Sequence, residues 1–476
     1  MHPLKQLMNP ASIAIYGASN NPMKMGTMQL ANILETGYTG EVYPIHRSEE
    51  TVMGIPAYKS IAEVGKPVDL VQLVLPTEVV PQILEECGEA GVRRAIVISG
   101  GFKEVQNPGG KQREGELLEI AESYGIRFLG PNCVGIMNSL CSLNTTTIPL
   151  PPMGGKIAFA SQSGAYTAMI NPYLRSQGVK MCQTLSVGNE ADMDLTDCLE
   201  YLKDEDEVKA IGLYVETVRR PREFIEAARL TVKEKPVVAI YVGGTEAGSR
   251  SSLSHTGAIT GPDEVYDGLF RQAGVIRAED LDHMIDLMWT LSMQPPPPGE
   301  RMAVITNSGG PGSSLAYHLE KVGLTVPFFS DELGASVDAL TGPLTYVRNP
   351  IDLTFETNMF IFKDLLETVF DTDEVDGAII YGIFGAPDFM VNLKKRFPDI
   401  EVMLEGWEGG FRAFLEELAG ISQAYGKPLI VMSFFDASSR TIQDLIDCDI
   451  PVFPSASRSA RAMRCLLDYH QVLERG

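Results

Sequence analysis

Residues 12–26, SIAIYGASNNPMKMG, join a short apolar run to a turn of small residues, and a helical stretch follows at residues 26–36. The alternation continues through apolar runs at 41–45, 68–75, 94–99 and 126–133, with helical stretches at 81–91 and 109–125. Strands that alternate with helices at this spacing predict βαβ units and a parallel sheet. The strands are apolar on both faces, as a sheet covered by helices on each side requires.

Two proline-rich breaks divide the rest of the chain. They are TTTIPLPPMGG at residues 145–155 and QPPPPGE at residues 294–300, where four consecutive prolines favour a stiff linker. A second α/β series ends in a helix at 281–293, and a third includes a predicted strand at 324–329 and a helix at 458–474. We therefore predict an α/β protein of three doubly wound, Rossmann- or flavodoxin-like parallel-sheet domains, separated by the linker 294–300. Their predicted bounds are residues 1–145, 150–293 and 301–476.

Composition limits the classes of function. The 476 residues carry a formal net charge of −23, which repels nucleic acids and anionic membranes. No apolar run approaches the ~18 residues of a membrane-spanning helix, and the N-terminus does not resemble a signal peptide. The seven cysteines form no CxxC pair, so neither a zinc site nor a disulfide framework is predicted. We expect a cytoplasmic protein with no metal site and no nucleic-acid or membrane partner.

Small residues separate a strand from a helix at the start of each predicted domain. The three turns are GASNNPMKMG (17–26), SQSGA (161–165) and NSGGPGSS (307–314). Small side chains let a backbone approach an anion, and the free N–H groups of a helix start attract it. None of the turns matches the GxxxxGK[ST] phosphate loop, and the first does not fit GxGxxG. Each turn is therefore either an anion site or an ordinary connection.

His255 differs from the other five histidines because small, polar residues surround it, in SRSSLSHTGAITG. No HxxxH or HExxH spacing occurs, which argues against a zinc site. A neutral imidazole in such a segment is a competent nucleophile that a loop can carry between sites. Loops are also where uninvolved residues collect, so an idle, exposed His255 remains an alternative.

Glu216 ends the apolar run AIGLYVE, at the sheet edge where ligands gather in α/β proteins. If His255 carried a phosphoryl group, Glu216 could orient the ring through its other nitrogen. The backbone N–H groups of residues 161–165 could hold the phosphoryl oxygens. Alternatively, Glu216 is a strand-end charge that faces water or pairs with Arg219 or Arg220.

These motifs together resemble the α subunit of NDP-forming acyl-CoA synthetases, the ADP-forming acetate–CoA ligase group related to succinyl-CoA synthetase. GASNNPMKMG, PIHRSEETVMGIPAY, IVISGGF and GPNCVGI are similar to its CoA-binding domain. GKIAFASQSGA, SVGNEADMD, YVETV and SHTGAITG resemble its succinyl-CoA-ligase-like domain, and ITNSGGPG and NPIDLT its third domain. The resemblance covers essentially the whole chain. It implies interconversion of acyl-CoA, phosphate and ADP with a carboxylic acid, CoA and ATP, through an acyl phosphate and a phosphohistidine.

The resemblance also implies roles for individual residues. His255 matches the family's nucleophile, and Glu216 matches the carboxylate that stabilises phosphohistidine. The residues matched to CoA binding are Gly17, Ser19, Asn20, Asn21, Arg47, Ile98, Ser99 and Gly100. Those matched to the phosphate or acyl site are Ser161, Gln162, Ser163, Gly164, Ala165 and Asn189. Arg47 stands near a position where relatives often carry Lys, and the two cations differ in geometry.

The sequence given contains no ATP-grasp module, so the resemblance implies a separate ATP-grasp β subunit in a hetero-oligomer. That partner would bind ADP or ATP with Mg, while this chain would bind CoA, phosphate and a small carboxylic acid. Two alternatives remain open. One is a non-catalytic regulatory protein of the same fold that binds CoA or acyl-CoA. The other is a scaffold that binds a partner through its third domain, with His255 idle.

Overall fold

The structure is a computed structural model of the chain. It describes residues 2–105, 108–149, 154–248, 250, 260–341, 348–354, 356, 358–383, 393, 396–397 and 400–475, with side chains omitted at 400–408. Contacts divide the chain into two compact units. The first contains Met1–Arg175 and Val179–Met284, and the second contains Ser176–Gly178 and Ile285–Gly476.

The first unit begins with a parallel five-stranded sheet in the order β2-β1-β5-β6-β7. Its segment contains β1 (Ser12–Tyr16), β2 (Glu41–Ile45), β3 (Thr51–Val52), β4 (Ile55–Pro56), β5 (Leu70–Leu73), β6 (Arg94–Val97) and β7 (Arg127–Leu129). Its helices are α1 (Pro3–Met8), α2 (Met25–Glu35), α3 (Val80–Glu89) and α4 (Pro108–Tyr124). The strands β3 and β4 form a separate antiparallel hairpin.

A second sheet of the first unit has seven strands in the order β14-β13-β12-β10-β11-β8-β9. They are β8 (Ile136–Asn138), β9 (Leu143–Asn144), β10 (Ile157–Ser161), β11 (Met181–Ser186), β12 (Ala210–Val215), β13 (Val237–Tyr241) and β14 (Ile276–Arg277). The helices that follow are α5 (Gly164–Ser176), α6 (Leu195–Lys203), α7 (Pro221–Glu234), α8 (Asp263–Ala273) and α9 (Leu281–Met293).

The hairpin β8–β9 departs from the predicted all-parallel sheets. It pairs with β11 in the antiparallel direction, although residues 1–145 were predicted to belong to the first domain. An antiparallel pair needs only a short turn, which Ser142 supports with a φ of +52°. Strands of two or three residues are too short to show a hydrophobic period, so the sequence could not reveal them.

The second unit contains a parallel five-stranded sheet in the order β16-β15-β17-β18-β19. The strands are β15 (Met302–Thr306), β16 (Ile351–Asp352), β17 (Gly377–Tyr381), β18 (Leu429–Met432) and β19 (Val452–Phe453). The helices are α10 (Gly309–Lys321), α11 (Asp331–Leu340), α12 (Ile361–Phe370), α13 (Ile400–Tyr425), α14 (Arg440–Asp447) and α15 (Ala456–Glu474). Three sheets of mainly parallel strands confirm the predicted α/β fold class.

The predicted strand at 324–329 is wrong. Thr325 makes only an isolated bridge to Arg301, and Phe328 is 74% exposed. Pro327 lacks the backbone N–H that a strand needs at this point. The edge position beside β15 is taken instead by β16, which pairs through Ile351 and Asp352.

The sequence predicts that α9 is the last helix of the second domain, but the boundary between the two compact units lies within this helix. From Ile285 onward it belongs to the second unit. There the Asp286 carboxylate accepts hydrogen bonds of 2.8 and 2.6 Å from the Arg458 guanidinium, and the Trp289 ring meets Phe453 edge-on at 5.5 Å. The predicted boundary at residues 294–300 remains a prediction.

In each sheet, later strands are added on both sides of one strand, so the direction of strand addition reverses there. These strands are β1, β10 and β15. All residues of these three strands are buried, so the sheets form the cores. In open α/β sheets, the carboxyl ends of the strands beside such a reversal are where ligands bind. Among the helices that the structure describes, none is long and apolar enough to cross a bilayer.

Candidate functional site

A cavity of about 600 Å³ opens at the carboxyl end of β1. Gly17 and Gly26 line it, and neither has room for a side chain. A Cβ atom on Gly17 would lie 1.9 Å from the Val74 carbonyl oxygen, and one on Gly26 would lie 2.6 Å from the Gly17 carbonyl carbon. The first turn of α2 therefore packs directly against the backbone of the predicted anion-binding turn.

Three cations line this cavity, namely Lys24, Arg47 and Lys59. All three are exposed, in a chain whose formal net charge is −23. They can therefore attract an anion locally although the protein as a whole repels it. Sequence analysis singled out Arg47 and missed both lysines. Lys24 lies inside the quoted motif GASNNPMKMG, so its place in the predicted anion-binding turn could have indicated it.

Ser19, Asn20 and Asn21 hold the turn together and lie outside the cavity lining that the structure describes. The Ser19 N–H donates to the Thr27 hydroxyl at 3.0 Å, and the Asn21 side chain accepts the Met23 N–H at 3.0 Å. The Asn20 amide donates to Glu49 and to the Thr51 carbonyl at 2.8 Å, and it accepts the Met53 N–H at 2.9 Å. These side chains shape the site through neighbouring backbone.

Ile98, Ser99 and Gly100 follow β6 and likewise lie outside the described cavity lining. The Ser99 hydroxyl donates to the Leu75 carbonyl at 2.6 Å and accepts the Leu75 N–H at 3.2 Å. The Gly100 carbonyl accepts the Thr77 hydroxyl. The three residues thus fix the end of β6 to the end of β5, beside Leu75, which does line the cavity.

A second turn, Ser161–Ala165, lies at the carboxyl end of β10. The Ser161 hydroxyl donates to the Ser163 carbonyl at 2.8 Å and accepts the Ser163 N–H at 3.0 Å. Helix α5 begins at Gly164, where a Cβ atom would lie 2.6 Å from the Val134 side chain. Ala165 is exposed in the first turn of the helix. The turn therefore presents a helix start, with a net positive end, at this edge of the sheet.

The amide of Gln162 makes four hydrogen bonds within the protein. Its Nε2 donates to Glu190 Oε2 at 2.7 Å and to the Thr217 carbonyl at 2.8 Å. Its Oε1 accepts the N–H groups of Glu216 at 2.5 Å and Thr217 at 3.0 Å. Because two donors and two acceptors exhaust a glutamine amide, the side chain is fully engaged. The predicted residues Gln162 and Glu216 are therefore brought together.

Glu190 was missed by sequence analysis, although it follows Asn189 in the quoted motif SVGNEADMD. It is 2% exposed, and its Oε1 accepts the Leu195 N–H at 2.9 Å. Burial, and after it the charge of Asp194, raises the pKa of Glu190 to about 8. The residue also has a φ of +53°, which a non-glycine residue rarely adopts.

Asn189 connects the second sheet to residues that follow the first sheet. Its Nδ2 donates to Glu104 at 2.6 Å, and its Oδ1 accepts from the Asn132 amide at 3.2 Å. Its backbone carbonyl accepts the Lys103 ammonium at 2.7 Å. These bonds bring together the segments that follow β6, β7 and β11, within one unit.

His255, the predicted nucleophile, lies outside the residues that the structure describes. The described residues on either side of this segment meet at the carboxyl end of β13. The Thr260 hydroxyl donates to the Gly243 carbonyl at 3.0 Å, and the Tyr241 hydroxyl donates to the Gly261 carbonyl at 2.7 Å. Strand β13 pairs with β12, the strand that Glu216 follows.

One group of possible metal ligands occurs in the described part of the chain, formed by His2, Asp197 and Glu200. The carboxylate of Asp197 already accepts from Arg220 at 2.7 Å and from the Asp194 N–H at 3.0 Å. A guanidinium thus already neutralises the buried member of the group. We assign no metal to it.

Two family models match the chain. The first, described as a CoA binding domain, matches residues 11–139, and the second, a succinyl-CoA ligase like flavodoxin domain, matches residues 154–291. The α subunit of ADP-forming acetate–CoA ligase II of Pyrococcus furiosus is 42% identical over 350 residues, which are 74% of this chain and 76% of the relative. The chain belongs to the ADP-forming acyl-CoA ligases. Its predicted family and enzyme class, acid–thiol ligase, are thereby confirmed.

Other members of this ligase family match the chain over greater length. The ADP-forming 4-hydroxybutyrate–CoA ligase of Nitrosopumilus maritimus is 30% identical over 467 residues, which are 97% of this chain and 64% of that relative. The structure of acetyl-coenzyme A synthetase 1 from Candidatus Korarchaeum cryptofilum, in complex with phosphate and ADP, matches with a TM-score of 0.86. It is 30% identical, over 100% of this chain and 98% of that one.

Proposed function

We propose that this chain is the catalytic α subunit of an ADP-forming acyl-CoA synthetase, with His255 as the phosphoryl carrier. A phosphate oxygen attacks the thioester carbonyl, the C–S bond breaks, and the CoA sulfur takes the proton of hydrogen phosphate. The imidazole nitrogen of His255 then attacks phosphorus, the P–O bond to the acyl group breaks, and a carboxylate leaves. Both intermediates retain a high phosphoryl-transfer potential, so ADP can accept the phosphoryl group in the last step.

CoA binds at the carboxyl edge of the first sheet in this proposal. Gly17 and the cation Arg47 contact the ligand, together with Lys24 and Lys59. The cavity that these residues share, and its three cations, support this assignment. The other predicted CoA residues act through the backbone they hold, as described above for Ser19 and Ser99. The family match to a CoA binding domain supports the same ligand.

The observation that carries the proposal is the set of four hydrogen bonds made by Gln162. They hold the turn Ser161–Ala165 against the backbone of Glu216. The N–H groups of Gln162 and Ser163 are bonded within the protein, so those of Gly164 and Ala165, at the start of α5, are the ones proposed to bind phosphate. The carboxylate proposed to orient phosphohistidine and the proposed phosphate site therefore lie on adjacent strands, β12 and β10. Asn189, which bonds to Lys103, Glu104 and Asn132 at the ends of the first-sheet strands, is proposed to contact the acyl group or phosphate.

A separate β subunit with an ATP-grasp fold completes the proposal. Two Pyrococcus furiosus relatives are named as α subunits, at 42% and 38% identity, which supports a partner of this kind. The partner would bind ADP with Mg, in a hetero-oligomer located in the cytoplasm. The name of these relatives makes acetate the first carboxylic acid to test.

The test is phosphorylation of the purified full-length chain by acetyl-CoA and inorganic phosphate, followed by intact mass. We expect one added phosphoryl group that is acid-labile and base-stable, and that is absent in His255→Ala. His470→Ala is the matched control, since His470 lies at the end of α15 beside Glu474, and it should be phosphorylated as the wild type is. Phosphorylation of His255→Ala, or none of the wild type even with the β subunit present, would contradict the proposal. CoA binding without phosphorylation would then favour the regulatory alternative.

A further inference from the structure

The buried carboxylate of Glu190 is connected to the end of β12, where Glu216 lies, through the side chain of Gln162. It accepts a hydrogen bond from Gln162 on one oxygen and from the Leu195 N–H, at the start of α6, on the other. Gln162 in turn accepts from both Glu216 and Thr217. Glu190, Gln162 and the end of β12 therefore form one connected set of hydrogen bonds.

The backbone at Glu190 gives a second, independent observation. Its φ of +53° lies in the left-handed region, which costs a non-glycine residue of order 1 kcal/mol or more. Glycine would satisfy this conformation without strain, and Gly188 nearby has a φ of +55°. Glutamate at this position carries a backbone cost that glycine would avoid, while its carboxylate supplies two hydrogen-bond acceptors that glycine lacks.

We propose that Glu190 is a positioning residue, which orients the Gln162 amide and through it fixes the backbone of Glu216 and Thr217 for phosphoryl transfer. Without the carboxylate, the Gln162 Nε2 loses one of its two acceptors and keeps only the Thr217 carbonyl. The Gln162 amide is then held by three hydrogen bonds instead of four, all of them to residues 216 and 217, so it no longer ties that backbone to the rest of the site. This inference rests on the proposed function, because it assigns a role within the same site.

The ionised carboxylate suits this role better than the neutral acid. Both oxygens accept N–H donors, and bonds to an ionised acceptor are shorter and stronger. A proton on either oxygen would compete with one of those donors. Because the pKa of Glu190 is raised to about 8, the ionised fraction increases between pH 7 and 9. The charged and titratable groups near this carboxylate also include Asp194, which caps α6, Cys198 on α6, Arg219 after β12 and Tyr266 on α8.

The test compares Glu190→Gln and Glu190→Gly with the wild type and with the control Glu205→Gln, all as full-length chains. Glu205 is also a buried glutamate that accepts from a glutamine, Gln183, at 3.4 Å, but it precedes β12 rather than following β11. Three quantities are measured: acetyl-CoA-dependent phosphorylation from pH 7 to 9, CoA affinity, and hydrogen exchange in the peptide containing Glu216 and Thr217.

Both Glu190 variants should be phosphorylated at least about ten-fold more slowly than the wild type, as expected for a misplaced reacting group. CoA affinity should be unchanged, and exchange at residues 216–217 should be faster.

The ratio of the wild-type rate to the Glu190→Gln rate should rise from pH 7 to 9, because only the wild type titrates at this position. Glu190→Gly should fold at least as stably as Glu190→Gln, since it relieves the strained backbone. Glu205→Gln should match the wild type in phosphorylation and in exchange at 216–217.

Wild-type rates in both Glu190 variants, or a ratio that does not change with pH, would overturn the inference. Parallel losses of CoA affinity and thermal stability would also overturn it, since they indicate a purely structural role. If the wild type is not phosphorylated even with the β subunit present, the proposed function fails, and the exchange measurement alone decides the inference. Unchanged exchange at residues 216–217 would then refute it.

Discussion

At the residue scale, Gly17 shows how one missing side chain lets two stretches of backbone pack closely at the lining of the cavity. Its φ of +91° and the Val74 carbonyl oxygen, 1.9 Å from an ideal Cβ, exclude alanine on two separate grounds. We expect Gly17→Ala to lower the free energy of unfolding by about 3 kcal/mol or more, since it combines strain with overpacking. It should also weaken CoA binding.

The matched control for this prediction is Gly91→Ala. Gly91 has a φ of +90°, but no atom lies within 4 Å of its ideal Cβ. Gly91→Ala should lower the free energy of unfolding only through backbone strain, on the order of 1 kcal/mol, and should leave CoA affinity unchanged. Urea denaturation and CoA titration of both variants measure the two effects. Equal effects of the two substitutions would show that the contact with Val74 is irrelevant.

At the element scale, the hairpin β3–β4 is held by a side chain that does not line the cavity. Asn20 bonds to the Thr51 carbonyl and the Met53 N–H, and the chain after the hairpin returns to β2 through Tyr58 before reaching Lys59. We expect Asn20→Ala to weaken CoA binding about ten-fold, because losing the bonds of Asn20 to Glu49, Thr51 and Met53 releases the segment that carries Lys59.

The salt dependence of CoA affinity distinguishes the indirect effect of Asn20→Ala from the direct loss of a cation. Lys59→Gln should reduce the dependence of CoA affinity on salt concentration, because it removes a cation from the cavity lining. Asn20→Ala should weaken binding and leave all three cations in the chain, so the salt dependence should change less. CoA titrations at several salt concentrations measure both quantities. Unchanged affinity in Asn20→Ala would mean that the hairpin is irrelevant to the site.

At the scale of the whole molecule, part of α9 joins the second unit. The Asp286 side chain is 3% exposed and bonds to Arg458 on α15 through both oxygens. We expect Asp286→Asn to lower the free energy of unfolding of this unit by about 2–3 kcal/mol, because the amide cannot accept both charged hydrogen bonds. The control Arg464→Met breaks the half-exposed pair with Asp468 on the same helix and should cost at most about 1 kcal/mol. Thermal unfolding checks both, and equal shifts would contradict the prediction.

The sequence by itself determined the local features of this protein. Alternating apolar runs and helical stretches established the α/β class and most of the strands, because those patterns depend on residues close together in the chain. The motifs from GASNNPMKMG to NPIDLT were sufficient to identify the family. Local sequence also placed Gly17 and Gln162 in turns at strand ends, where parallel sheets bind their ligands.

Only the tertiary structure decided which distant residues meet. Gln162, Glu190 and Glu216 follow three different strands, and their hydrogen bonds exist because those strands are neighbours in one sheet. The hairpin β8–β9 pairs with β11 for the same reason, and α9 joins the second unit through Asp286. Such contacts depend on the packing of elements far apart in sequence, which no local pattern of polar and apolar residues specifies.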